Sequence, residues 1–238
     1  MSFLARRRVV SLVPSVTETL LAWGVTPVAV TRFCEQPQLP QVGGTKNPDV
    51  DQIVVIQPDL VVMCDEENRR EDYDQLRGAG LRVLSLGIES VADVARGLGR
   101  LAQVLELPRD LPGTRPPPEV GEPVGLRAFV PIWRRPWMAL TPQTYGASLL
   151  ARIGVEVVGA SGPDRYPEVT LEDAAAATPD VVLAPSEPYP FRDQHVDELS
   201  AVAPVLLVDG QDLFWWGART PAAQHRLHTE LATRSSAG

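Results

Sequence analysis

Cysteine and histidine are scarce in this chain, and a long apolar run is missing altogether. The two cysteines, Cys34 and Cys64, have no second cysteine at two- to four-residue spacing, so they build neither a disulfide framework nor a thiolate metal site. His195, His225 and His228 fall late in the sequence. None stands in a positional relation to Ser15 or Cys34 that would pair a nucleophile with its base. His225 and His228 have the spacing of a helical metal pair, but with no third ligand evident they read as a solvated helix face. Positive charge is also short: 22 Lys and Arg face 30 Asp and Glu, and no basic run exceeds Arg6-Arg7-Arg8. A net charge of −8 supplies no field for phosphate backbones, so no nucleic-acid partner is expected. The longest apolar stretch near the start, Val9 to Val16, is broken by Ser11 and Pro14. It falls short of the roughly 20 residues that cross a bilayer and of the uninterrupted core of an export signal, so the expected location is cytoplasmic.

The composition that remains, 44% hydrophobic and 22% charged, is that of a globular α/β chain. An internal repeat organises it. Ile56-Gln-Pro-Asp-Leu-Val-Val-Met63 and Ala177-Thr-Pro-Asp-Val-Val-Leu-Ala184 match at an offset of 121. Each reads as a helix end, a turn and a buried strand of a parallel sheet. Eight residues past each proline stands a glutamate, Glu66 and Glu187, followed by a helix (69–78 and 193–200) and a strand (82–86 and 205–208). Upstream, Leu20 to Val25 resembles Leu149 to Val155, each a helix end with a glycine cap, preceded by strands at 9–13 and 128–132. Asn47 and Thr170 are the expected N-caps of further helices. The expected fold is therefore α/β, with two similar lobes, each a mainly parallel sheet flanked by helices. The expected boundaries are an N-terminal lobe at 1–89, a connecting segment at 90–125 and a C-terminal lobe at 126–238. The connector holds an amphipathic helix, 90–107, and a stretch with six prolines between Pro108 and Gly125 that cannot continue a helix.

Ligands in parallel α/β sheets sit beyond the carboxyl ends of the strands, and the loops there differ between the halves. The first half offers Pro14, Ser15, Phe33, Cys34, Lys46, Cys64 and Glu66. The second offers Trp133, Trp137, Tyr145, Tyr189, Phe191, Trp215 and Trp216, half of the chain's fourteen aromatics. Rigid aromatic area of that kind suits the face or rim of a flat macrocycle. Gly43-Gly44-Thr45-Lys46 lacks the spacing of a phosphate loop and reads as a turn.

Several of these stretches together resemble one family: Val9-Val-Ser-Leu-Val-Pro-Ser-Val-Thr-Glu-Thr-Leu20, Thr31-Arg-Phe-Cys34, Val42-Gly-Gly-Thr-Lys-Asn-Pro-Asp49, Glu66-Glu-Asn-Arg-Arg-Glu71, Val130-Pro-Ile-Trp-Arg-Arg-Pro-Trp-Met138 and Pro185-Ser-Glu-Pro-Tyr-Pro-Phe191. The chain is similar to the helical-backbone class of periplasmic binding proteins, and within it to the corrinoid-binding members. That resemblance implies no enzymatic activity and no intrinsic cofactor. It implies a bulky metal chelate, cobalamin first and a siderophore or haem as alternatives, held in the inter-lobe cleft of a monomer. It also implies delivery to the membrane subunits of an ABC importer, with Glu71 as a docking residue. A solitary cytoplasmic relative, or a cytoplasmic tetrapyrrole-handling enzyme or chaperone, is the alternative that the missing export signal favours, since family relatives are periplasmic or lipid-anchored. Two departures accompany the resemblance. The proline-rich stretch replaces part of the connecting helix, and Trp216 to Pro221 carries no acidic counterpart to Glu71.

Overall fold

The computed structural model of the chain describes residues 7–235. Arg6 of the basic run, with the rest of 1–6 and 236–238, lies outside the described residues. The chain forms two compact units: 7–88 with 92–116 and 216–219, and 89–91 with 117–215 and 220–235. The connector expected at 90–125 is thus divided at Pro116-Pro117, and the short stretch 216–219 belongs to the first unit although it follows most of the second.

In the first unit the order is β1 (Val9–Ser11), α1 (Pro14–Ala22), β2 (Ala29–Val30), α2 (Val50–Ile56), β3 (Leu60–Cys64), α3 (Arg70–Gly78), β4 (Val83–Leu86) and α4 (Val91–Val104). The four strands pair in parallel in the order β2-β1-β3-β4. β3 is buried at every position, as a strand covered on both faces must be, and Met63 packs with Leu12, Ile53 and Leu76 in the core. In α4, the buried Val94, Leu98, Leu101 and Ala102 follow helical spacing.

The second unit contains β5 (Leu126–Phe129), β6 (Pro131–Trp133), β7 (Met138–Ala139), α5 (Tyr145–Ala151), β8 (Val155–Val157), α6 (Leu171–Ala176), β9 (Val181–Pro185), a 3-10 turn (Asp193–His195), α7 (Val196–Leu199), β10 (Val205–Val208), α8 (Gly210–Phe214) and α9 (Thr220–Ser235). Its parallel sheet runs β8-β5-β9-β10, the same order as in the first unit. The strand expected at 128–132 ends at Phe129, and β6 turns away to form an antiparallel hairpin with β7. The helix expected at 193–200 is the 3-10 turn followed by the single turn of α7.

The repeated Pro-Asp motif does the same work in both units. Asp59 accepts from the Arg8 amide at 2.7 Å while its own amide bonds the Arg8 carbonyl at 2.8 Å. Asp180 accepts from the Arg127 amide at 2.7 Å and returns a bond to the Arg127 carbonyl at 2.8 Å. The residue before each proline, Gln57 or Thr178, takes a left-handed φ of 49°. This closes the preceding helix where proline bars its continuation. Thr170 caps α6, accepting from the Asp173 amide at 3.0 Å. The expected Asn47 cap is corrected to Asp49, which accepts from Gln52 N at 2.9 Å. The prolines of the connector cannot donate, but their carbonyls accept. Pro112 takes the Trp23 indole N–H at 2.9 Å in the first unit, and Pro117 takes Arg152 at 2.7 Å in the second. Among the described residues no helix is long and apolar enough to cross a membrane.

Candidate functional site

The strand-end loops of the first unit are held by Asn68, a residue that stands just before α3. Its Oδ1 accepts from the Cys64 amide at 2.8 Å, and its Nδ2 donates to the Thr45 carbonyl at 2.8 Å and the Leu12 carbonyl at 3.2 Å. One buried amide thereby joins the segments that follow β1, β2 and β3. Asn68 stands between Glu67 and Arg69 in the loop after β3, and no local pattern shows that it bonds carbonyls as distant in sequence as Leu12 and Thr45. Lys46, the only lysine of the chain, is exposed and donates to the Glu66 carbonyl at 2.9 Å. Gly44 supports the neighbouring loop, since a Cβ there would stand 3.1 Å from the Phe33 ring and 3.3 Å from the Arg32 guanidinium. Phe33 is 49% exposed, with Arg32 over its ring at 4.8 Å.

Four residues expected to meet a ligand in this unit are interior. Pro14 and Ser15 are buried in the first turn of α1, and Cys34 and Cys64 are 3% and 1% exposed. The Cys34 sulfur lies 3.2 Å from the hydroxyls of both Thr17 and Thr31. Burial raises its pKa, against the opposing hydrogen bonds from the two threonines. Burial, reinforced by the charge of Glu67, pushes the Cys64 thiol up to about 12. A thiol kept protonated inside a core is neither a nucleophile nor a metal ligand at neutral pH, so both cysteines are packing residues.

In the second unit the aromatic side chains of two loops form one row. Trp133, at the end of β6 and 44% exposed, meets the half-buried Tyr189 edge-on with ring centres 5.6 Å apart. Tyr189 abuts Phe191 at 4.8 Å, and Phe191 stacks on Trp137 at 6.0 Å with the planes 4° apart. His195 closes the row from beneath. Its Nδ1 accepts from the Arg192 amide at 3.0 Å, which places the proton of the neutral ring on Nε2, 3.3 Å from the Tyr189 hydroxyl. Arg134 bonds Glu198 at 2.8 Å and lies 6.0 Å over the Trp137 ring. Its pKa is raised: loss of solvent works against the charge, but hydrogen bonds with Glu198 and Tyr189 outweigh it. Below this loop, Gly210 permits close approach, because a Cβ there would stand 2.5 Å from the Glu187 amide nitrogen.

Three of the other aromatic candidates are corrected by burial. Phe191 is 3% exposed and belongs to the core under the row. Tyr145 is 4% exposed and spends its hydroxyl on Thr220 at 3.0 Å. Trp216 is 4% exposed and falls in the first unit, where Ala218 N bonds Thr19 Oγ1 at 3.1 Å and Arg219 pairs with Glu18 at 2.9 Å. Trp215 is half-buried in the second unit. The aromatic candidates that keep exposed surface in this unit are Trp133, Trp137, Tyr189 and Trp215, with Arg134 over the Trp137 ring. His228 is engaged with the Glu122 carbonyl at 2.8 Å. Among the described residues no three His, Cys, Asp or Glu side chains gather to hold a metal.

A pair of four-stranded parallel sheets of identical order, with flanking helices, defines a two-unit α/β fold. Residues 9–109 match the family described as periplasmic binding protein. Among the chain's relatives is a vitamin B12-binding protein of Pectobacterium carotovorum subsp. carotovorum, 22% identical over an alignment that covers 96% of this chain and 90% of the relative. Solved structures carry the same fold. The periplasmic vitamin B12 binding protein of Vibrio cholerae is 20% identical with a TM-score of 0.75, covering 97% of this chain and 98% of that one. A periplasmic heme binding protein from Pseudomonas aeruginosa is 20% identical with a TM-score of 0.76, covering 95% and 93%.

Proposed function

We propose that the chain is a non-enzymatic receptor that reversibly binds a bulky metal chelate of the tetrapyrrole type, a corrinoid in the first place. The observation that carries this reading is the aromatic row of the second unit. Trp133 leaves nearly half its surface in solvent although Tyr189 and the buried Phe191 hold it in place, and an exposed, rigid indole favours a large flat partner. Relatives that bind vitamin B12 support the same ligand class. Delivery to importer membrane subunits belongs to the proposal, with Glu71, exposed in the first turn of α3, as the docking residue.

Haem is the second reading, favoured by the guanidinium of Arg134 beside the row and the exposed Arg135 next to it. Two cations there suit the carboxylates of a haem better than the neutral amides of a corrinoid. Titration with cyanocobalamin and, separately, with hemin, following tryptophan fluorescence, separates the two. Saturation by either supports chelate binding and names the ligand. No saturable change with either up to about a millimolar overturns it. Chemically unaltered ligand recovered after incubation is the expected sign of a receptor, whereas a converted product would indicate an enzyme.

A further inference from the structure

A cavity of about 470 Å3 opens within the first unit beside β4, the edge strand of its sheet. Three guanidiniums line it: Arg69 and Arg70 from the start of α3, and Arg100 from α4. The only carboxylate in its lining is Asp65, which already accepts from the Ser85 hydroxyl. On a chain of net charge −8, this is a local concentration of the opposite sign.

The arginines are not all neutralised. Arg69 grips the buried Asp72 with Nε at 2.9 Å and Nη2 at 2.7 Å, which leaves Nη1 uncommitted and holds the group in place. Arg70 gives only Nε to Asp74, at 3.2 Å, and lies 5.2 Å over the Tyr73 ring. Arg100 makes no ion pair or hydrogen bond among the described residues. At the same place α3 begins without a side-chain cap for its first amides, so its positive end adds to the field. Guanidiniums converging on one space repel each other unless an anion joins them. Their planar forks match the oxygens of carboxylates and phosphates two at a time.

We propose that this cavity is a second binding site, for a small molecule carrying several oxyanion charges, either a phosphate monoester or a polycarboxylate. The volume exceeds what a bare inorganic ion fills and lies within the roughly 300–1,000 Å3 of small-molecule sites. Arg100 and the free nitrogens of Arg69 and Arg70 receive the oxygens. The site is independent of the aromatic row.

Calorimetric titration of the full chain at low salt with citrate and, separately, with glycerol 3-phosphate tests it. At least one is expected to bind saturably below about a millimolar, and which one does so identifies the source of the oxyanion. Arg100→Ala and Arg70→Ala are each expected to weaken that binding at least tenfold. Both side chains are exposed, so the urea midpoint should stay near that of the parent. Trp133→Ala should leave the anion affinity unchanged, which separates this site from chelate binding. Absence of saturation with both anions at about 10 mM, or parental affinity in both arginine variants, overturns the proposal.

Discussion

Position 68 and position 189 occupy the same place in the two halves of the repeat, ten residues beyond each proline, and they do opposite things. Asn68 turns inward and bonds three backbone groups of its unit. Tyr189 points a ring towards Trp133 and keeps part of it in solvent. The sheets beneath them share strand order and the Pro-Asp latch. The framework is therefore duplicated, while the loops at the strand ends have diverged into a closed polar clasp and an open aromatic row. Elements that satisfy backbone groups are constrained in both copies; the side chains above them are free to specialise.

Breaking the clasp should give the largest effect among the strand-end loop positions that the repeat pairs. Asn68→Ala strands the Cys64 amide and two carbonyls, and at about 1–3 kcal/mol per unmet buried group it should cost about 3 kcal/mol or more in urea unfolding. Tyr189→Phe, the matching change in the second unit, removes only a hydroxyl and should cost about 1 kcal/mol or less. Equal losses would mean that the two positions are not specialised. Next come the glycines that follow the last strands. A Cβ at Gly210 meets the backbone of Glu187 at 2.5 Å, which cannot retreat, whereas one at Gly87 meets the Asp65 carboxylate at 3.1 Å, which can turn aside. Gly210→Ala should cost about 2–3 kcal/mol and Gly87→Ala under 1 kcal/mol, both read from thermal melts.

Legibility in the sequence follows the same division. The repeat exposed the strands, their parallel arrangement and the helix ends, because Pro-Asp before a β-branched run is a local signal that needs no tertiary information. The aromatic loops were also visible, but which rings stay in solvent was not. Phe191 and Trp133 are alike in composition and neighbourhood, and only packing decides that one is core and the other 44% exposed. Trp216 was read with the second half because it adjoins Trp215; its place in the first unit comes from a long-range bond, Ala218 N to Thr19, that spacing cannot reveal. The cysteines stood in loops that resemble ligand contacts, yet both are buried, and the Thr17 hydroxyl that meets Cys34 comes from another element, α1.

Smaller effects sharpen the comparison. Asp59→Ala and Asp180→Ala remove the same latch from each unit, and each should cost about 1–2 kcal/mol. A difference beyond about 1 kcal/mol would show that the repeats do not bear equal loads. Alkali should act on the first unit, which holds both cysteines. The Cys64 thiol titrates at about 12 when folded against an ordinary 9.0, so its proton is bound more tightly in the folded chain. The stability it contributes is full below about pH 9 and is lost as pH rises towards 12. Urea midpoints should fall across that window, and iodoacetamide should leave both thiols unmodified at pH 8 until urea is added; rapid labelling of native protein would contradict their burial.

The smallest change in stability is expected where the change in binding is greatest. Trp133→Ala deletes a half-exposed ring that no buried group depends on, so unfolding should shift by no more than about 0.5 kcal/mol. Phe191→Ala empties part of the core beneath the same row and should cost about 3–4 kcal/mol. If the row is a ligand platform, Trp133→Ala loses at least tenfold in chelate affinity on an intact fold, measured by competition against a second, spectroscopically visible chelate. If it is only packing, affinity stays while stability falls. The two rings touch the same Tyr189, so the contrast between them isolates exposure from chemistry.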